Sequence, residues 1–350
     1  SISQNENITA HFVPNVTDTM ILSTNLPQVS YWNTAVPFTD LMKYAGEWAA
    51  TQSGGNPPDV DALGYPLEVP YDDGSGTITT VRSSLPNFVA GDHTVTFDGT
   101  GILRFTGTAD GNQILSSNGT LAIADPNDNL LLYILVSDPA DPIRNLKIHL
   151  PGFDASTTFN PDFLQDLEPF SALRFMDWGQ TNSNSITSWS EVPTAAHFSQ
   201  GRRAVPLVSY ELVIALANLT QKDPWICIPH LADDNYATQL ATLLRDTLDP
   251  SLQIYLEYSN ETWNGAPSFL QTYYARNQGL ALGLSTNAVE AGSLFTSMRS
   301  AQIWQIFRDL FAENDPARII NVMPSWATSS GTSEVRLQAL ADPAINPTGI

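Results

Sequence analysis

The sequence predicts an α/β protein in which a parallel sheet, flanked by helices, carries an inserted antiparallel β module. Two observations predict this. Between about 77 and 150 the chain breaks into short alternating runs such as "HTVTFDGTGILRFTG" and "LLLYILVSDP", separated by Asp-Gly and Pro-Asn-Asp punctuation. A two-residue period with such turns reads as antiparallel strands. After Phe159 helical runs alternate with short apolar runs four times: "NPDFLQDLEPF" then "ALRFMDW", "SYELVIALANLTQ" then "PWICIPH", "NYATQLATLLRDTL" then "LQIYLEYSNETWN", and a long helix over about 288–313 then "RIINVMPSW". Four helix-to-strand units in series imply a parallel sheet with helices outside it.

Taken in order, residues 1–55 form an N-terminal segment with a first strand in "QVSYW", near 29–32. A helix-like run, "FTDLMKYAGEWAAT", follows, with Phe38, Leu41, Met42, Ala45 and Trp48 at helical spacing. Residues 56–152 hold a Gly/Pro/Asp-rich loop and a β-sandwich-like module, inserted after that first strand. Residues 153–350 carry strands two to five of the parallel sheet. Asp233 and Asp234 stand where a helix start favours acids.

Composition narrows the function classes. The chain has 350 residues and is 42% hydrophobic, enough for a large core. Its 15 Lys and Arg against 36 Asp and Glu give a formal charge of -21, which argues against nucleic acid and anionic membranes as partners. No run approaches the roughly 20 apolar residues of a membrane span. The chain starts at Ser1 without a basic-then-apolar leader, so any secretion signal is expected to have been removed or never present. Asn-x-Ser/Thr triplets at Asn7, Asn15, Asn118, Asn218 and Asn260 suit a secreted, glycosylated protein. The single cysteine, Cys227, lies in an apolar run and reads as a buried inert thiol. No metal-ligand spacing, phosphate loop or nucleophile elbow occurs, so no cofactor is expected. Self-association cannot be read from the sequence.

The chemistry-bearing residues gather where the strands run out: Asp177 and Trp178, His230, Asn260 and Glu261 with Trp263, then Ser325 and Trp326. On "IYLEYSNE" a period of two puts Tyr255, Glu257, Ser259 and Glu261 on one face. A mid-strand acid needs a partner, and Arg174 on "ALRFMDW" is the candidate. Bland readings compete: His230 as a hydrogen-bonded structural residue, the tryptophans as core or loop anchors, Asp177 as a turn cap.

"LEYSNE" resembles the fourth-strand motif of the clan A glycoside hydrolases, whose general acid/base Glu follows an Asn, often with a further Glu three residues before that Asn. Glu257, Asn260 and Glu261 match it. Arg174 matches the clan's second-strand arginine, and His230 a sugar-contacting histidine. More narrowly, "SYWNTAVPFTDLMK", "LRFMDWGQTN" and "EYSNETWN" resemble a poorly characterised extracellular group of glycosidases often labelled cellulose-binding. The resemblance spans about 20–328. It implies a (β/α)8 TIM-type barrel of which about the first five strands are present, with Glu261 as acid/base and Glu257 as a structural acid. Asn260, His230, Arg174, Asp177, Trp178, Trp263 and Trp326 would bind substrate, a polysaccharide or glycan, outside the cell or at its surface. The clan's nucleophile belongs to strand seven and is expected beyond Ile350. Retaining hydrolysis places two carboxyls about 5 Å apart, the proton donor having its pKa raised by a neighbouring carboxylate and apolar walls. The competing function is a non-catalytic carbohydrate-binding or surface-assembly protein on the same fold.

Overall fold

A computed structural model describes residues 22–87, 89–108, 111–124, 126, 130–313 and 315–350. The triplets at Asn7 and Asn15 lie outside these residues. Among the described residues the first strand in chain order is β1 (Ser23–Asn25), not the 29–32 run. The module follows as β2 (Ala49–Ala50), β3 (Tyr71–Asp72), β4 (Ile78–Thr79), β5 (Val81–Leu85), β6 (Gly91–Asp98), β7 (Gly101–Thr108), β8 (Gly111–Leu115), β9 (Gly119–Ile123), β10 (Leu130–Ser137) and β11 (Arg144–His149). Then come α1 (Pro161–Leu167), β12 (Ala172–Arg174), α2 (Tyr210–Thr220), β13 (Asp223–Ile228), α3 (Asp234–Thr247), β14 (Ile254–Tyr258), α4 (Leu270–Ala281), α5 (Ala288–Phe311), β15 (Ile319–Val322) and α6 (Ser330–Leu340).

The principal sheet runs β1-β12-β13-β14-β15, with every neighbouring pair parallel. The protein is therefore a mixed α/β molecule on a five-stranded parallel sheet. Among the described residues that sheet is open, ending at β1 and β15. One face is apolar: Leu173, Ile226, Ile228, Leu256 and Tyr258 share a core with Val213 of α2, Leu240 of α3 and Ile303 and Phe307 of α5. Trp304 of α5 also donates from Nε1 to the Leu256 carbonyl at 3.0 Å, tying the longest helix to the middle of β14. Helix starts follow the sequence: Asp233 caps α3 by accepting from the Tyr236 amide, and Asn287 caps α5.

The module has two larger antiparallel sheets, β2-β5-β10-β7-β8 and β11-β6-β9, and a two-stranded β3-β4 ribbon; the larger two share one core of Val81, Leu103, Phe105 and Leu132 with Val95, Leu121 and Ile148. It sits between β1 and α1 in the chain. The stretch read as a helix over 38–51 is a single 3-10 turn, Leu41–Tyr44. Its helix-like spacing has another cause. Phe38 and Tyr44 are buried in the α/β core, whereas Leu41, Met42, Ala45 and Trp48 are buried in the module core. The chain is closely packed where the turn ends, since a Cβ on Gly201 would lie 2.7 Å from the Tyr44 carbonyl oxygen.

Candidate functional site

The site grows from the register of three strands. Arg174 on β12 lies beside Trp225 on β13, Trp225 beside Tyr255 on β14, and Cys227 beside Glu257. In-register neighbours of a parallel sheet project to the same side, so these side chains occupy the face that the helices leave open. There Glu257, 5% exposed, accepts on one oxygen, Oε2, from four donors: Arg174 Nη2 at 2.7 Å and Nε at 3.2 Å, Trp225 Nε1 at 2.8 Å and Cys227 Sγ at 3.3 Å. The buried acid is thus compensated by charge and hydrogen bonds together, as burial requires. Burial, then the carboxylate, pushes the Cys227 thiol well above its ordinary pKa, so it is a thiol donor and no nucleophile.

Beyond Tyr258 the chain turns sharply. Ser259 and Glu261 have φ of 60° and 44°, a left-handed conformation costly for residues with a Cβ. Surrounding bonds enforce it. Arg174 Nη2 donates to Asn260 Oδ1 at 3.0 Å, and Asn260 Nδ2 donates to Asn182 Oδ1 at 2.9 Å. Gln271 of α4, fully buried, donates from Nε2 to the Asn260 carbonyl at 2.9 Å and to Asn182 at 2.8 Å. Thr272 donates to the Glu261 carbonyl at 3.1 Å. An unbroken chain of bonds therefore runs from Glu257 through Arg174 to Asn260. It fixes the backbone on which Glu261 stands, half-buried, with Oε2 accepting from Asn264 Nδ2 at 2.7 Å.

Arg174, Glu257, Asn260, Glu261, Trp263 and Trp326 line one cleft of about 710 Å³, together with Asn25, Trp225 and Ser325. Trp263 and Trp326 stack on each other, centroids 4.8 Å apart and 9° from parallel. Trp326 is 45% exposed, so the pair offers an outer aromatic face. Asp177 accepts from Asn25 Nδ2 at 2.8 Å and lines an adjoining polar groove of about 480 Å³ with Gln180, Asn182 and Arg202.

Two residues read as substrate contacts are elsewhere. Trp178 is 1% exposed, its ring packed on Phe38 and Phe175. The turn after β12 points it into the core, so it has no face for a sugar. His230 is 4% exposed and edge-on to Tyr274 of α4; it lies two residues past the end of β13, under that helix and off the cleft wall. Burial takes its pKa down to about 4. The triplet at Asn260 is also unsuited to glycosylation, as that side chain is buried between Arg174 and Asn182. Conversely, Asn25, Trp225, Asn182 and Gln271 were not anticipated. Trp225 was legible, being two residues before Cys227 on a strand whose neighbour carries Arg174. Gln271 and Asn182 are on a helix start and a loop, where no periodicity marks them.

The sequence matches no known protein family, and a search of curated proteins finds no match. Among solved structures, the CBM22-1 and GH10 modules of Clostridium thermocellum endo-1,4-beta-D-xylanase 10B, complexed with xylohexaose, align at 9% identity over 89% of this chain and 79% of that one, with a TM-score of 0.28. A likeness that slight decides neither fold nor function.

Proposed function

We propose that the five-stranded sheet is the first part of a (β/α)8 barrel of clan A type. Its cleft binds a β-linked polysaccharide outside the cell, and Glu261 protonates the glycosidic oxygen. The observation that carries this reading is the chain Glu257–Arg174–Asn260, which rigidly presents Glu261 at an open cleft beside an exposed indole. Preorganised geometry of this kind is what acid–base catalysis needs. Asn260, with one amide hydrogen unused, faces the sugar hydroxyl, and Trp326 stacks on a ring.

The other carboxylate on the cleft wall, Glu257, has one oxygen saturated by four donors and is a poor nucleophile. The retaining mechanism therefore takes its nucleophile from a carboxylate that is not on this wall. That same observation gives the second reading its footing, a protein that binds glycans without cleaving them.

Glu261→Gln in the complete protein separates the two. For the enzyme, turnover of a β-glucan, β-mannan or β-galactan falls about 100- to 10,000-fold while binding persists. A substrate with a good leaving group loses less in its first step, and azide partly restores the second. Glycan binding with no hydrolysis across the panel leaves the binding protein.

A further inference from the structure

A second surface of the molecule shares no lining residue with the cleft. Its components are arginines and aromatic rings in alternation. On the outward face of the module, Tyr133 of β10 stands in register between Arg82 of β5 and Arg104 of β7, with the Arg104 guanidinium 4.2 Å from the Tyr133 ring centre. Next to Arg82 opens a cavity of about 570 Å³ lined also by Ser84, Leu131, Tyr31 and Trp32. Tyr31 meets Trp32 edge to face at 4.7 Å, and Arg203 sits 5.4 Å from the Trp32 ring centre. Gly46 seats Tyr31 against the module: a Cβ there would come within 3.1 Å of the tyrosine ring.

What marks this band is that three arginines with unspent charge stand among aromatic rings. Against 36 acids and 15 Lys and Arg in the chain, Arg144, Arg174, Arg245 and Arg299 are ion-paired. Among the described residues Arg82, Arg104 and Arg203 have neither an ion pair nor a side-chain hydrogen bond, and Arg104 Nε is buried without a partner. Stacking on a ring uses the face of a guanidinium and leaves its N–H edge free to fork onto an oxyanion. Trp32, 46% exposed, adds a flat apolar surface of the kind that pyranose rings cover.

We propose that this band is a second glycan-binding site, for a polysaccharide bearing carboxylate or sulfate groups. The arginines take the oxyanions, and Trp32 and Tyr31 take sugar rings. The site is independent of hydrolysis in the cleft.

Affinity electrophoresis of the full chain tests it, with polygalacturonate, dextran sulfate, neutral dextran and poly-glutamate in the gel. Polygalacturonate or dextran sulfate, according to which oxyanion is recognised, retards the protein, and neutral dextran does not. The Arg82→Gln/Arg203→Gln variant and Trp32→Ala each weaken retardation about tenfold or more, with thermal melts confirming that both are folded. Glu261→Gln leaves it intact. The proposal is overturned if neither charged glycan retards the protein or if the double substitution has no effect. It is equally overturned if poly-glutamate binds as well and Trp32→Ala changes nothing, since the partner is then an acidic protein.

Discussion

At the scale of single residues, Glu257 and His230 show opposite solutions to burial. Glu257 keeps its place through four donors, so Glu257→Ala strands the Arg174 guanidinium. We expect a loss of about 3 kcal/mol in urea unfolding, and loss of glycan binding as Asn260 comes adrift. Replacing both partners, as Arg174→Met/Glu257→Leu, should recover most of the stability and none of the binding. His230 has no such partner, and burial holds it neutral with a pKa of about 4 against 6.5 in a free side chain. The folded value is the lower one, so its contribution is complete above about pH 6.5 and is lost as pH falls from there towards about 4. Comparing unfolding free energies of the wild type and His230→Gln across that window should show a shallower decline in the variant. The Glu257–Arg174 pair was legible because a two-residue period fixes which strand residues face one another. The burial of His230 and Trp178 was not, since both lie past strand ends where no period applies.

At the scale of elements, the four helix-to-strand units were legible because each helix has one apolar face and each strand is short and apolar. β1 was not: its three residues, Ser23–Asn25, are polar and partly exposed, and only pairing with β12 makes them a strand. Helix packing also overrides intrinsic preference. Gly279 of α4 lies so close to α5 that a Cβ would sit 2.1 Å from the Ala291 carbonyl oxygen. Alanine is the better helix former by about 1 kcal/mol, yet Gly279→Ala should lower the melting temperature, because backbone on backbone has no rotamer to yield. Trp326→Ala should weaken glycan binding without lowering stability, its ring being half in solvent and outside the core; isothermal titration and a thermal melt check the two halves.

At the scale of the whole molecule, Asp40 ties the turn Leu41–Tyr44, whose residues divide between the two cores, to the last strand of the module. Its Oδ1 accepts from the Met42 amide and, far along the chain, from the Ile148 amide on β11, both at 3.0 Å. Asp40→Ala leaves two buried donors unsatisfied and should cost about 2–4 kcal/mol in denaturant unfolding. Asp40→Asn, which retains an accepting oxygen, should cost far less. The antiparallel strands were legible from the two-residue period, whereas this long-range bond was not, because a single aspartate before a turn has the same appearance whether it caps locally or also reaches a distant strand. The placement of the module between β1 and β12 also leads us to expect an order of events in folding. Ser23 pairs with Ala172, and an unfolded chain would have to close that whole span for the gain of a three-residue strand, against a closure entropy that grows with length. Once the module has folded, the bridge between Asp40 and His149 has already brought the two ends together. Among the described residues that edge of the parallel sheet is therefore expected to form after the module, and a core substitution in the module such as Leu132→Ala should slow its appearance in refolding measurements.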